Sequence, residues 1–121
     1  MKVIIDLIED IRATINNDTS FSLTAMSLAE SAEGEFTPSW QSDVSQYKLN
    51  DTDKKIYFLL GRENPLNIGD LLKDLNTLSN EAMMYEVCVS YSKDNQRIDS
   101  SLIGFGEALE DKKYLLFIAD K

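Results

Sequence analysis

Three acidic side chains, Asp6, Glu9 and Asp10, crowd the start of the chain at helical spacing. Carboxylates so placed could bind a cation or a basic partner. In the first turns of a helix they also complement the dipole and keep one face wet, and this structural role is the expected one. Asn50-Asp51-Thr52-Asp53 brings two more carboxylates into one short stretch. It lacks the glycine and the distal glutamate of a calcium loop, so it reads as a polar turn. Gly104-Phe105-Gly106 is a G-x-G that neither opens a helix nor carries a third glycine. Within a strand, such glycines mark a bulge or a close backbone approach rather than a phosphate cradle.

The only cysteine is Cys88, and the chain has no histidine. The commonest general base, metal ligand and thiol activator is therefore missing. Glu86 beside Cys88 would raise the thiol pKa, so Cys88 is expected to pack rather than react. Asp, Glu, Lys, Tyr and Ser remain as possible catalytic groups, but no constellation among them stands out. No catalytic residue, cofactor site or metal ligand is assigned, and an enzyme is not the favoured reading. Lys54-Lys55 and Lys112-Lys113 could steer an anion if folding joined them. As charged residues before strong strands, they are expected to discourage aggregation. Trp40, with Phe36 nearby, lies in the polar run from Glu35 to Ser42. Both are taken as candidate partner-binding residues, since an aromatic in such a run either anchors a partner or folds back over the core.

The elements that must carry these residues follow from periodicity. Val3, Ile4, Leu7, Ile8, Ile11 and Ile15 form one apolar stripe, predicting a helix over 2–16, with Asn16-Asn17-Asp18 as its stop. Phe21, Leu23 and Ala25 alternate with Ser22, Thr24 and Met26 and predict a strand. Residues 31–39 read as a loop and 40–49 as a weak strand. Lys55–Leu60 is a strong strand closed by Gly61. Ile68, Leu71, Leu72, Leu75 and Leu78 predict a second helix, with Asn67 as its N-cap and Asp70 in place to reach back to it. Met83, Tyr85, Val87, Val89 and Tyr91 alternate along a strand, residues 92–101 read as a loop, and strands follow over 102–109 and 114–119.

The order is then α-β-β-β-α-β-β-β, and its halves share residue types. Ile4, Asp6, Leu7 and Asp10 match Ile68, Asp70, Leu71 and Asp74. Asp53-Lys54-Lys55-Ile56 resembles Asp111-Lys112-Lys113-Tyr114. The expected architecture is an α+β fold in which two α-β-β-β units, 1–62 and 63–121, form a pseudo-repeat. One or more antiparallel-rich sheets would be packed by two helices within a single domain.

The chain has 121 residues, 43% of them hydrophobic and 27% charged, which suits one globular domain. A formal net charge of −9 repels phosphate backbones and anionic lipid heads, so neither nucleic acid nor membrane is expected as a partner. The apolar start Val3-Ile4-Ile5 is interrupted by Asp6, Glu9 and Asp10, so no secretory signal is expected. A lone cysteine cannot form an intrachain disulfide, and cytoplasm is the expected compartment.

The segment Pro65–Leu72, followed by the strand Tyr85–Val89, resembles a helix-then-strand pattern found in many small bacterial and phage proteins. The element order, acidity and length also resemble type III secretion chaperones, although this chain lacks their C-terminal helix. That resemblance implies a homodimer that binds an extended segment of a client. The favoured expectation is a non-enzymatic, chaperone- or adaptor-like module that binds another protein or a second copy of itself, through a sheet edge or face and the region of Trp40. Two alternatives stand beside it. One is a small-molecule or carboxylate-based enzymatic site between the halves, involving Tyr57, Tyr85 or Tyr114. The other is an immunity or inhibitor protein.

Overall fold

A computed structural model describes residues 1–16 and 18–120. Asn17, the middle residue of the expected helix stop, lies outside them. Helix α1 (Ile4–Ile15) forms where the apolar stripe predicts it and buries Ile4, Leu7, Ile8, Ile11 and Ile15. Its first turn is tied by Asp6, whose carboxylate accepts the Val3 N–H at 3.0 Å. It ends at Asn16 in the left-handed conformation, which asparagine tolerates better than most residues. Helix α2 (Ile68–Leu75) is capped by Asn67, whose side chain accepts the Asp70 N–H at 3.1 Å. A 3₁₀ turn over Ala82–Met84 follows.

The strands are β1 (Ser22–Glu30), β2 (Phe36–Asn50), β3 (Lys55–Leu60), β4 (Glu86–Lys93), β5 (Gln96–Ala108) and β6 (Lys113–Ala119). They pair in chain order, and β6 returns to pair with β1, closing a barrel. This corrects the expected α+β arrangement of helix-packed sheets. Strands β1-β2-β3 and β4-β5-β6 are antiparallel meanders. Parallel seams between β3 and β4 and between β6 and β1 join them into one mixed cylinder. Alternation of apolar and polar residues is the same in an open sheet and a closed one, so closure left no mark on the pattern.

Strands β2 and β5 begin well before their expected starts. Strand β2 begins at Phe36 and carries Pro38 at an irregularity opposite Ser27 and Leu28, a place where a strand tolerates a residue without an N–H. The polar run 92–101 is mostly strand as well. Strands β4 and β5 are joined by Asp94 and Asn95 alone, both with positive φ (53° and 65°). That is the backbone of a type I′ hairpin turn. Strand β5 runs through both glycines with an irregularity between Leu102 and Gly104. The Phe117 ring lies over them, so a Cβ on Gly106 would come within 2.7 Å of it.

One phase of the strand alternation (Leu23, Ala25, Ile56, Phe58, Val87, Val89, Leu116 and Ile118 among others) joins the buried faces of both helices in a single core. The helical segments meet the barrel where β1 and β4 begin. Ile4 donates to the carbonyl of Tyr85, and Leu23 to that of Leu66. Burying each of these aliphatic side chains stabilises the fold by roughly 1.5–3 kcal/mol before entropy is counted. With the helices at one end, the ends of β3 and β4 and the starts of β2 and β5 rim the other.

Candidate ligand-binding site

At that second end the barrel opens into a cleft of about 770 Å³. Its apolar floor is made by Leu59 and Leu60 at the end of β3, Tyr91 of β4 and Trp40 of β2. Trp40 and Tyr91 meet edge to face, with ring centroids 5.1 Å apart. This arrangement favours contact between the quadrupole of one ring and the edge of the other. Ser42, Gln46, Ser90 and Ser92 supply neutral polar groups, and Lys93, Arg97 and Asp120 supply charge. A cleft of this size with an apolar base and a few polar groups has the composition of a binding site.

Arg97, at the start of β5, is held on three sides. Its Nε donates to Asp99 Oδ1 at 2.9 Å and to Ser90 Oγ at 3.0 Å. Its guanidinium carbon lies 4.8 Å from the centroid of the Tyr57 ring. Burial alone would raise the Asp99 carboxyl. Hydrogen bonds from Ser90 and Arg97, with the charges of Arg97 and Lys55, together hold it below the usual carboxylate range. Tyr57 is pushed up to about 12 by burial and by its hydrogen bond to Asp53. Just past the end of β6, Asp120 is fixed by its N–H to the Leu28 carbonyl and accepts from Ser27 Oγ at 3.4 Å.

The sequence-derived candidates are distributed unevenly. Trp40 is half buried and lines the cleft. Phe36 does not line it; it is 52% exposed at the start of β2, opposite Glu30. Of the acidic trio, Asp6 ties the helix start and Asp10 accepts the hydroxyls of Tyr114 and Thr14. With Glu9 they border a shallower depression beside Lys2 and Phe105. Among the described residues no group of three His, Cys, Asp or Glu side chains is placed to hold a metal ion.

The lysine pairs are not brought together on a common ligand. Lys54 bridges to Glu81 at 2.9 Å with its ammonium over the Tyr85 ring, and Lys112 bridges to Asp18 at 2.7 Å over the Phe21 ring. Both have positive φ, 55° and 54°. Cys88 is buried, and burial together with the Glu86 charge pushes its thiol up to about 11. Tyr57, Tyr85 and Tyr114, expected at a site between the halves, donate to Asp53, Asp51 and Asp10 respectively, and none lines the cleft.

Sequence reasoning missed Arg97 and Tyr91 as site residues. Tyr91 reads as one more member of an alternating strand. Arg97 sits in a polar run whose strand character was not recognised, so its register opposite Ser92 was hidden. Comparison with protein families, curated proteins and solved structures finds no match to this chain. Among the described residues no helix is long and apolar enough to cross a membrane.

Proposed function

We propose that this protein is a non-enzymatic binding module of the cytoplasm that takes a segment of another protein into the cleft at the barrel mouth. The observation that carries this reading is the aromatic floor of Trp40 and Tyr91, placed beside Leu59 and Leu60 at the one end of the barrel that the helices leave uncovered. Aromatic anchors in a concave, partly desolvated setting are what concentrate binding energy at protein interfaces. Every strand has a neighbour on each side, but residues 36–43 pair only with β1 and residues 96–101 only with β4, so it is the aromatic floor that directs the proposal to the cleft. Tyrosine–carboxylate chemistry between the halves gains no support, because those tyrosines are committed to aspartates elsewhere.

Trp40 is the only tryptophan, so its fluorescence reports the cleft directly. A displayed peptide library selected on the immobilised protein should yield sequences with a shared apolar residue. Their synthetic forms should shift Trp40 emission saturably, and Tyr91→Ala should weaken them at least tenfold. Selected peptides that bind with no change in Trp40 emission and no loss in the Tyr91→Ala protein would place recognition elsewhere and end this reading.

A further inference from the structure

We infer that the cleft recognises the free carboxyl terminus of a partner chain that ends in an apolar residue, with Arg97 as the anchor; this rests on the cleft being the binding site. Arg97 is fixed through its Nε edge and one face. Nε is spent on Asp99 and Ser90, and the ring of Tyr57 holds one face of the guanidinium. Its two terminal amino groups make no hydrogen bond among the described residues, and the side chain borders the cleft. A guanidinium whose plane is already set, with its terminal N–H groups unused, is prepared for a planar two-oxygen acceptor. Preorganisation of this kind spares the ordering cost at binding.

The charge balance narrows the acceptor. Asp99 offsets Arg97 at its Nε edge, and Lys93 and Asp120 add one charge of each sign to the lining. The site is therefore a hydrogen-bonding fork with little surplus positive charge, which suits a monoanionic carboxylate better than a dianionic phosphate. The fork and the apolar floor belong to one cleft. A terminal carboxylate is attached to the same Cα as the last side chain, so a chain end brings both kinds of group to a cleft whose lining offers both. An internal glutamate bears its carboxylate at the far end of its own side chain and brings no apolar group with it. The cleft is also open to solvent on one side, leaving room for a chain to lead away.

The test uses the whole protein and a five-residue peptide ending in phenylalanine, acetylated at its amino end, as the free acid and as the carboxamide. Trp40 fluorescence is the readout, and 3-phenylpropanoate is a third ligand. The acid should bind at least tenfold tighter than the amide. Arg97→Gln should erase that difference by weakening the acid far more than the amide, and Arg97→Lys should restore only part of it. Circular dichroism of both variants checks that they fold. Equal binding of acid and amide would overturn the carboxylate inference and leave the cleft reading standing. A small acid binding as tightly as the peptide acid would overturn the partner-chain assignment. Failure of both phenylalanine peptides, while library-selected peptides bind the cleft, would overturn the inference alone. Failure of the selected peptides as well would remove the cleft reading with it.

Discussion

Four tyrosine hydroxyls, those of Tyr47, Tyr57, Tyr85 and Tyr114, donate to aspartate carboxylates. Each pairing favours the neutral phenol, and all four groups are raised above the usual tyrosine value of 10.0. The consequence for stability has a definite sign. A phenol that keeps its proton in the fold but loses it when unfolded contributes fully below pH 10, and that contribution is lost as pH rises further. For Tyr57, pushed up to about 12 by burial and then by Asp53, the window runs from pH 10 to about 12. Urea midpoints at pH 8, 10 and 11 should fall across this range, and less steeply in Tyr57→Phe. The same variant should lose about 1–2 kcal/mol at pH 8, where only the hydrogen bond is removed. An unchanged slope above pH 10 would show that Tyr57 titrates normally. At this scale the sequence was partly legible: Trp40 stood out as an aromatic in a polar run, whereas Arg97 depends on neighbours that only the strand register brings to it.

Local periodicity located both α-helices and the six strands, though not their extents, and Met83, expected in a strand, lies in the 3₁₀ turn. Strand β3 runs over Lys55–Leu60 as the sequence predicts, and α1 and β6 come within a residue or two of their expected limits. The errors fall where the pattern is polar. Residues 36–39 and most of 92–101 are exposed, and the buried Ser100 is polar, so these stretches lack the apolar alternation that marks a half-buried strand. Backbone pairing holds them in the sheet instead. The Asp94-Asn95 turn carries its own signal of left-handed residues, overlooked within a run that read as loop. Replacing Asn95, at φ 65°, with glycine should relieve the Cβ crowding of that conformation and raise stability by about 0.5–1 kcal/mol. Thermal and urea unfolding would measure it. A loss of stability would mean that the Asn95 side chain contributes more than its backbone preference costs.

Closure is the property of the whole molecule that no segment announces. The two parallel seams, Lys55–Leu59 against Glu86–Ser90 and Ser22–Leu28 against Lys113–Ala119, are the joints between the two meanders. Each meander alone would expose both seam edges and half of the shared core. Residues 1–62 and 63–121 made separately are therefore expected to be unfolded or aggregated, as read by circular dichroism and amide proton dispersion. A folded, monomeric half would show that one meander holds its own core. The outer seam also has a consequence in time. Ser22 and Lys113 are hydrogen-bonding neighbours in the sheet, yet roughly 90 residues of synthesis separate them, about 5–20 s at ordinary elongation rates. Throughout that interval the first strand emerges from the ribosome with one side unmatched. The nascent chain therefore passes through a stage in which β1 is open to any extended neighbour, including the same strand on the next chain of a polysome.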